Sequence, residues 1–391
     1  MPNSPYCASQ RMSDIQSPII PVVADLINKT PGTISLGQGV VYYKPPKAAL
    51  DRAMEIEDSL NYHLYSRVEG QLELTEIISK KLCDENQINL NNNQKIIVTA
   101  GANMAFMNAI MSITDPGDEV ILLKPYYFNH EMALNMINCK VITVDTDSEF
   151  QPVMENITAA ITDKTKAIVT VSPNNPSGAV YSKESLTAIN TLCKEKGIFH
   201  ISDEAYEYFT YADEHFSVAS LADSHKHTIS LYSLSKAYGF ASWRIGYMVI
   251  PEHLYLSVKK VQDTILICPA RITQEAAIAA LQVGKSYTQS HIAQIREVRE
   301  QLYRALQSIN KIGTTANSTG AFYYFVKLNT ELTGMQLVEL LIKKHKIAVI
   351  PGETFGMDDG CYIRIAYGAL DKNRSDTGIQ RLISGLQSII G

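Results

Sequence analysis

One segment of the chain combines a lysine, two serines and an arginine in a spacing that could bind a phosphorylated aldehyde. Lys236 ends the run Ser233-Leu234-Ser235-Lys236, and Arg244 follows eight positions later. A lysine amine held among aromatic groups can form a Schiff base with a carbonyl, and hydroxyls with a guanidinium can bind a phosphate. Gly101-Ala102-Asn103 opens a predicted helix, and helix N-termini also attract anions. The sequence therefore predicts a site for a ligand that carries both an aldehyde and a phosphate.

Three further residues add groups that would recognise an aromatic ring. Asp203 ends another apolar run, Tyr206 lies three positions beyond it, and Tyr127 follows a different run. An aspartate can pair with a pyridinium nitrogen, and a flat tyrosine can stack on the ring. Phosphate, aldehyde and pyridine together describe pyridoxal phosphate, so we expect this cofactor.

Seven short runs of largely apolar residues predict the strands that position these groups. Several are apolar almost throughout, as strands buried on both faces are, and helical segments such as Ala102–Ile113 and Ser182–Lys196 separate most of them. This alternation predicts an α/β fold, with a seven-stranded, mostly parallel sheet covered by helices on both faces. The runs are Lys95–Gly101, Glu119–Pro125, Lys140–Thr146, Ala167–Pro173, Ile198–Asp203, Thr228–Ser233 and Ile245–Pro251.

The candidate residues should meet at one edge of this sheet, because ligands of open α/β sheets bind beyond the carboxyl ends of the strands. The polar stretch Asn174–Gly178 follows the fourth run and joins the set. Only eight positions separate Lys236 from Arg244, whereas a parallel crossover needs about a dozen residues or more. The seventh strand should therefore run antiparallel, which would bring Arg244 to the same edge.

The two ends of the chain lie outside this pattern and predict a second, smaller α+β domain. A long helical pattern runs from about Gln274 to Ile309, and short strands are predicted at Phe322–Leu328, Ile347–Ile350 and Tyr362–Ala366. We therefore expect a large domain over residues 46–285 and a small domain formed by residues 1–45 together with 286–391.

The composition argues against several other classes of protein. The 391 residues contain 35 Lys and Arg and 40 Asp and Glu, a formal net charge of −5, and so lack the basic field of a nucleic-acid binder. No apolar stretch approaches the length of about 18 residues that crosses a membrane. Six cysteines without a C-x-x-C pair favour free thiols in a reducing compartment, so we expect a cytoplasmic protein. His225-Lys226-His227 has no further ligand pattern, and no metal site is expected.

Several motifs spread over most of the chain belong together. The longest is Ser233–Tyr247, and the others are Leu36-Gly37-Gln38-Gly39, Tyr65 with Gly70, Asn174–Gly178, Asp203–Tyr206, Pro351–Gly356 and Tyr362–Ile365. In this order they resemble the class I pyridoxal-phosphate-dependent aminotransferases, the fold-type I aspartate aminotransferase superfamily. The resemblance implies transfer of an amino group from an L-amino acid to a 2-oxo acid in a ping-pong cycle, within amino-acid metabolism and biosynthesis.

The resemblance also implies a role for each candidate residue. Lys236 would form the Schiff base and move the proton between the substrate and the cofactor, while Asp203 would keep the ring nitrogen protonated. Tyr206 and Asn175 would hydrogen-bond the ring oxygen, and Tyr127 would stack on the ring. Arg364 would bind the substrate α-carboxylate, helped by Asn175 and the backbone of Gly39. The phosphate would be held by Gly101, Ala102, Asn103, Ser233, Ser235 and Arg244, and by Tyr65 from the partner subunit of a homodimer.

The motifs leave the reaction and the substrate partly open. A pyridoxal-phosphate-dependent β-lyase would use the same scaffold, and a non-catalytic cofactor-binding regulator is a third reading that the complete set of chemical residues disfavours. In one aspartate-using branch of the family a lysine stands where this chain has Asn103, so we expect aromatic or broad specificity instead. Val40-Val41-Tyr42-Tyr43 would offer apolar or aromatic walls, and Arg271 is a less favoured candidate for binding a distal carboxylate.

Overall fold

The computed structural model describes residues 8–13, 15–55, 60–90 and 93–391, without the side chains of residues 372 and 373. Cys7, one of the six cysteines, lies outside the described residues. The helices are α1 (Ile19–Asn28), α2 (Lys47–Met54), α3 (Leu72–Asn86), α4 (Ala102–Ile113), α5 (Phe128–Met136), α6 (Met154–Ala159), α7 (Lys183–Lys196), α8 (Leu234–Ala237), α9 (Tyr255–Ile265), α10 (Arg271–Val283), α11 (Ser286–Gln307), α12 (Gly334–His345) and α13 (Lys372–Ile390). The strands are β1 (Ile34–Ser35), β2 (Gln94–Thr99), β3 (Glu119–Lys124), β4 (Lys140–Asp145), β5 (Thr165–Val171), β6 (Phe199–Asp203), β7 (Thr228–Ser233), β8 (Gly246–Pro251), β9 (Gly313–Thr315), β10 (Tyr323–Leu328), β11 (Ile347–Ala348), β12 (Ile350–Pro351) and β13 (Cys361–Ala366).

A seven-stranded sheet in the order β2-β8-β7-β6-β5-β3-β4 dominates the fold. Strand β8 runs antiparallel to both of its neighbours, and the other pairs are parallel. The prediction of a mostly parallel sheet with an antiparallel last strand is therefore confirmed. Each of the seven predicted runs overlaps one of these strands, with ends that differ by at most two residues.

Helices cover both faces of this sheet, which explains why its strands are apolar almost throughout. In β3, Val120 and Leu122 pack with α4 into one hydrophobic cluster, whereas Ile121 and Leu123 pack with α7 into another. Helix α7 begins after Ser182, whose hydroxyl accepts a hydrogen bond from the backbone N–H of Ser185 at 3.0 Å. Ser182 therefore caps the N-terminus of α7.

The predicted long helix over Gln274–Ile309 is wrong in one respect, because it is two helices, α10 and α11. Gly284 separates them with a φ of +77°, a left-handed backbone conformation that an α-helix does not contain. Glycine adopts this conformation without the steric cost that other residues meet. The turn allows α11 to pack away from α10.

The N-terminal arm and the C-terminal third share a separate hydrophobic core. A four-stranded antiparallel sheet in the order β12-β13-β10-β9 lies in this part, and β1 pairs in parallel with β11 through Ile34 and Ile347. Ile34 and Leu36 of the arm join the cluster that contains Leu341 of α12 and Ile363 of β13. Both ends of the chain therefore bury apolar side chains against each other. Within the described part of the chain, no helix has the length and hydropathy to span a membrane.

Candidate active site

A cavity of about 400 Å³ lies where the parallel strands of the large sheet end. Strands β5, β6 and β7 reach it at Val171, Asp203 and Ser233, and the antiparallel direction of β8 places the preceding Arg244 there as well. All of the predicted site residues except Gly101 and Tyr65 line this cavity. They are Gly39, Ala102, Asn103, Tyr127, Asn175, Asp203, Tyr206, Ser233, Ser235, Lys236, Arg244 and Arg364.

Lys236 is held by a short helix at the end of β7. The Ser233 hydroxyl caps α8 by accepting from the backbone N–H of Ser235 at 3.2 Å, and Nζ of Lys236 donates to the carbonyl of Gly39. Burial, together with the positive charges of Arg364 and Arg244, lowers the pKa of Lys236 to about 8. A lowered pKa leaves part of the amine neutral near pH 7, as a nucleophile requires.

The tyrosines of the N-terminal arm support the backbone of Lys236 and do not line the cavity. The Tyr43 hydroxyl donates to the carbonyl of Lys236 at 2.8 Å, and its ring stacks on His291 with centroids 4.1 Å apart. The Tyr42 hydroxyl lies 3.2 Å from Nδ1 of the same histidine. The expectation that Tyr42 and Tyr43 form substrate walls is corrected accordingly, because both rings turn into this cluster. Val40 does line the cavity.

Asp203 ends β6 and is paired with a histidine. Its side chain is buried, its Oδ1 accepts from the backbone N–H of Ala205 at 3.0 Å, and its Oδ2 lies 3.2 Å from Nε2 of His130. His130, in the first turn of α5, is itself buried and stacks on Phe106 with centroids 4.0 Å apart. The carboxylate is therefore held in one orientation at the floor of the cavity.

Arg364 lies in β13 and reaches into the cavity from the C-terminal part of the chain. Its Nη1 donates to Oδ1 of Asn175 at 2.8 Å and its Nη2 to the carbonyl of Gly37 at 2.7 Å. The guanidinium lies over the rings of Tyr323 and Phe355, at 4.6 and 5.0 Å from their centroids. Its Nε is buried and has no hydrogen-bond partner within the described ranges. A buried guanidinium with a donor to spare is suited to binding a carboxylate.

Tyr206, one turn beyond Asp203, belongs to a buried hydroxyl network. Its hydroxyl accepts from Nδ2 of Asn175 at 3.3 Å and lies 2.7 Å from the hydroxyl of Tyr323. Burial raises the pKa of Tyr206 well above its ordinary value. The phenol consequently stays protonated and able to donate a hydrogen bond.

Tyr127 stands at the cavity wall with two amide side chains beside its hydroxyl. The hydroxyl accepts from Nδ2 of Asn129 at 2.7 Å and donates to Oδ1 of Asn103 at 3.3 Å. The Tyr127 ring also meets His130 edge-on, with centroids 5.2 Å apart. The ring therefore has a fixed position next to the pair formed by Asp203 and His130.

The predicted phosphate site lies at the N-terminus of α4. Gly101 has a φ of +83°, and a Cβ at this position would collide with the guanidinium of Arg244. Arg244 itself has a φ of +54°, which is uncommon for a residue with a side chain. Its Nη1 donates to the carbonyl of Ala241 at 3.0 Å and its Nη2 to that of Ala100 at 3.3 Å. In the same turn, Trp243 stacks on Phe240 with centroids 5.0 Å apart.

Tyr65 and Arg271 lie outside the cavity. Tyr65 is 79% exposed and follows a short 3₁₀ turn at Leu60–Tyr62. Arg271 donates from Nη1 to the carbonyl of Asn61 at 2.9 Å, and its guanidinium lies 5.0 Å from the centroid of the Tyr62 ring. Arg271 therefore supports the segment that carries Tyr65 and does not reach the cavity of its own chain.

Three cavity neighbours were missed by the sequence analysis: His130, Tyr323 and Asn129. His130 and Asn129 lie just after the predicted ring-stacking Tyr127, and a polar pair at the start of a helix beside a strand end was a usable signal. Tyr323 lies in the predicted strand Phe322–Leu328, and nothing in the local sequence marks its hydroxyl as functional.

The residues around the cavity fit pyridoxal phosphate. The glycine at Gly101 lets the Arg244 guanidinium pack against the N-terminus of α4, where a phosphate would find both a cation and a helix dipole, and the buried Asp203 can hold a ring nitrogen. Lys236 supplies an amine with a lowered pKa, and the spare Nε of Arg364 can take a substrate carboxylate. Each part of the cofactor and of an amino acid therefore has a complementary group.

Known proteins resemble the chain over nearly its whole length. An aromatic aminotransferase of Arabidopsis thaliana is 31% identical, covering 98% of this chain and 97% of that protein. A probable aspartate/prephenate aminotransferase of Aquifex aeolicus is 36% identical, covering 83% and 84%. Among solved structures, a double mutant of the Thermus thermophilus aspartate aminotransferase superposes with a TM-score of 0.89 at 28% identity, covering 97% of this chain and all of that one.

The family model for class I and II aminotransferases matches residues 31–382. That range contains every predicted site residue, from Gly39 to Arg364, and both the seven-stranded and the four-stranded sheet. The seven-stranded sheet, the cavity at its edge and the match along the chain agree, and the protein belongs to the class I and II aminotransferases.

Proposed function

We propose that pyridoxal phosphate binds in this cavity and serves the transfer of an amino group from an L-amino acid to a 2-oxo acid. This proposal rests on one observation: Lys236, Asp203 and the N-terminus of α4 at Gly101 converge on one edge of the sheet. Bound there, the cofactor would supply an aldehyde for the amine and a ring that withdraws electrons from the reacting carbon.

The N-terminus of α4 would hold the phosphate. Backbone N–H groups of Ala102 and Asn103 have the helix dipole behind them, and Arg244 adds a full positive charge. The N–H of Gly101, predicted to join them, instead donates to the carbonyl of Thr99 at 2.8 Å. Ser233 and Ser235 line the same cavity and would add hydroxyl hydrogen bonds. These groups bind through charge and hydrogen bonds and take no part in proton transfer.

The pair formed by Asp203 and His130 would hold a proton on the ring nitrogen. A buried carboxylate beside a ring nitrogen favours the protonated, electron-withdrawing form of the ring. His130 keeps the carboxylate in place through its Nε2. Tyr206 and Asn175 would hydrogen-bond the ring oxygen, and Tyr127 would stack on the ring face.

Lys236 would move the proton at the substrate α-carbon. Its amine acts as a base only when neutral, and its pKa of about 8 makes the neutral form accessible near pH 7. The carbonyl of Gly39 accepts a hydrogen bond from the same Nζ. The backbone of the arm therefore orients the amine that carries the proton.

Arg364 would bind the α-carboxylate that every amino acid and every 2-oxo acid carries. Asn175 and the carbonyl of Gly37 hold the guanidinium in one plane, so a bidentate pair can form with little loss of side-chain freedom. One arginine can then serve both halves of a ping-pong cycle.

For the substrate side chain we propose aromatic or broad specificity. The cavity cations are Lys236, Arg244 and Arg364, and each already has a role above. Ile20 and Val40 give apolar walls, and Asn103 and Asn129 give neutral amides. The Arabidopsis relative is named as an aromatic aminotransferase, while the Aquifex relative is named for aspartate and prephenate.

A homodimer with shared sites would complete the cavity. Tyr65 is exposed, and apolar side chains on the adjoining α2, α3 and α10 are exposed with it, namely Met54, Leu72 and Ile272. Such a patch favours association with another surface. In a C2 dimer the Tyr65 of each subunit would reach the phosphate of the other.

We further propose the division into a large domain over 46–285 and a small domain over 1–45 and 286–391. The seven-stranded sheet falls within residues 94–251, the four-stranded sheet within 313–366, and the helix break at Gly284 adjoins the boundary. We also propose a cytoplasmic role in amino-acid biosynthesis. The unpaired state of the described cysteines supports the cytoplasmic location.

A panel of amino donors tests the reaction and its specificity. The protein loaded with pyridoxal phosphate is incubated with 2-oxoglutarate and either phenylalanine, tyrosine, methionine, glutamine, alanine or aspartate, and glutamate formation is measured. We expect phenylalanine and tyrosine to give a higher kcat/KM than aspartate. Asn103→Lys should raise the preference for aspartate, whereas Asn103→Ala, which removes the amide without adding charge, should not.

The same assay separates transamination from the β-lyase alternative. A lyase would release ammonia and pyruvate from a suitable donor without forming glutamate. Glutamate in a one-to-one ratio with the new 2-oxo acid supports the proposal, and ammonia with no glutamate contradicts it. The named relatives do not favour the lyase, since they are aminotransferases.

A further inference from the structure

We propose that Tyr323 is a positioning residue that donates its hydroxyl proton to Tyr206 and so directs the Tyr206 hydroxyl into the cavity. The two hydroxyl oxygens are 2.7 Å apart and both rings are buried. Tyr206 follows β6 of the large sheet, whereas Tyr323 opens β10 of the C-terminal part. The inference rests on the proposed hydrogen bond from Tyr206 to the cofactor ring oxygen.

The orientation of Asn175 fixes one of the bonds to Tyr206. Its Oδ1 accepts from Nη1 of Arg364 at 2.8 Å, and a guanidinium can only donate. The other end of the amide, Nδ2, must therefore face Tyr206, where it lies 3.3 Å from the hydroxyl. One lone pair of the Tyr206 oxygen is thus occupied by Asn175.

The remaining lone pair and the single proton of Tyr206 allow two arrangements. If Tyr206 donated to Tyr323, it would have no proton left for the cavity. If Tyr323 donates, Tyr206 accepts two hydrogen bonds and its own proton is free to point at the ligand. Only the second arrangement leaves Tyr206 as the donor that its proposed role requires.

Two contacts hold Tyr323 in place to make this donation. The Arg364 guanidinium lies 4.6 Å from the Tyr323 ring centroid. A Cβ at Gly39 would collide with the Tyr323 hydroxyl, so the glycine allows the arm to pack directly against it. The hydroxyl thus lies between the arm and Tyr206, at the wall of the cavity.

The hydroxyls of Tyr206 and Tyr323 both keep their protons at working pH. They therefore differ in which one donates to the other, and not in ionisation. Burial raises the pKa of Tyr323 to about 12, although the charge of Arg364 works against this rise. Burial likewise raises the pKa of Tyr206 well above its ordinary value. Tyr127 and Arg364 are the other ionisable groups that act on this pair.

The hydrogen bond that Tyr323 donates to Tyr206 should strengthen the one that Tyr206 donates to the cofactor ring oxygen. When Tyr206 accepts a bond from Tyr323, its own O–H becomes more polarised and a better donor. A donor to the ring oxygen stabilises the negative charge on that oxygen, and so favours the deprotonated form of the lysine-bound cofactor. Loss of the Tyr323 hydroxyl should therefore act in the same direction as loss of the Tyr206 hydroxyl, but less strongly.

The test is a visible-absorbance pH titration of the full-length protein loaded with pyridoxal phosphate. Four variants are compared with the wild type: Tyr206→Phe, Tyr323→Phe, the double variant and Tyr324→Phe. Tyr324 is the matched control, because it adjoins Tyr323 on β10, is equally buried and has a hydroxyl without a hydrogen-bond partner in the described structure. Circular dichroism melting confirms that each variant is folded.

We expect Tyr206→Phe to raise the pH midpoint and Tyr323→Phe to raise it by about a third of that amount or less. In the double variant the Tyr323 effect should vanish, since it acts only through Tyr206. Tyr324→Phe should leave the midpoint unchanged. A Tyr323→Phe shift that persists in the Tyr206→Phe background, or no shift at all, overturns the inference. Failure of Tyr206→Phe to move the midpoint would instead count against the proposed role of Tyr206.

Discussion

Nη1 of Arg364 lies 2.8 Å from Oδ1 of Asn175, and the two side chains are 2% and 4% exposed. The bond joins β13 near the C-terminus to the loop after β5 of the large sheet. No carboxylate lies within ion-pair distance of Arg364 among the described residues, so its positive charge is met only by neutral oxygens. An anion that binds beside this buried cation would therefore stabilise it strongly.

Arg364→Lys should reduce kcat/KM by about a hundredfold, because an ammonium cannot form the bidentate pair with the α-carboxylate. The loss should fall mainly on KM for both the amino donor and the 2-oxo acid. Steady-state kinetics with each substrate varied in turn measures it. Arg304→Lys is the control, since that side chain is 81% exposed. A normal KM for either substrate would mean that another residue binds its carboxylate.

His130→Ala should weaken pyridoxal phosphate binding by about tenfold, because the buried Asp203 carboxylate loses the group at its Oδ2. Equilibrium dialysis of the variant against the cofactor gives the Kd. His253→Ala removes an exposed histidine and should bind the cofactor as the wild type does. Equal affinities for the two variants would show that His130 does not support Asp203.

Gly101→Ala should weaken cofactor binding by at least about tenfold, since its Cβ would collide with the Arg244 guanidinium. Gly117→Ala is a close control, because Gly117 also has a positive φ, +92°, but a Cβ there meets nothing within 4 Å. Both variants should lose some thermal stability through backbone strain, and only Gly101→Ala should lose cofactor affinity. Similar cofactor affinities would place the phosphate elsewhere.

The cofactor-free protein should capture pyridoxal phosphate faster as pH rises through about 8. The neutral amine is the nucleophile, and a pKa of about 8 leaves roughly a tenth of Lys236 neutral at pH 7. Below pH 8 the rate should rise about tenfold per unit, and above it the rate should level off. Stopped-flow absorbance follows the reaction, and Lys236→Ala gives the background. A midpoint near 10.5, the ordinary value for lysine, would contradict the burial of this amine.

A mixing experiment tests whether Tyr65 acts across a subunit boundary. Lys236→Ala and Tyr65→Ala homodimers are each defective, but a hybrid contains one site with Lys236 and the partner's Tyr65 both intact. Random exchange of equal amounts should therefore restore about a quarter of the wild-type activity per subunit at limiting cofactor. No gain on mixing, under conditions where exchange is demonstrated by mass spectrometry, would place Tyr65 in its own subunit's site or outside both.

The sequence was sufficient for the parts of the site that follow strand ends. Asp203, Ser233 and Lys236 lie at such ends, and the short connection to Arg244 dictated an antiparallel β8. Strand periodicity, connection length and the family motifs all act over short stretches of sequence, so they can be read without coordinates.

The remaining features depend on contacts between distant segments. His130 becomes a site residue only because α5 packs beside the end of β6, and Tyr323 only because β10 pairs with β13 next to Arg364. Tyr43 has a favourable pattern for a cavity wall, yet its hydroxyl is drawn to the carbonyl of Lys236. The break at Gly284 was overlooked because helical periodicity continues on both sides of it.

The turn that carries Arg244 also provides an optical probe of the site. Trp243, which stacks on Phe240 in that turn, is the only tryptophan among the 391 residues. Indole emission overlaps the absorption of pyridoxal phosphate, so a cofactor held beside Arg244 should quench it by energy transfer. Every variant above that leaves Trp243 in place can therefore be examined for cofactor loading by its intrinsic fluorescence, without a label and without turnover.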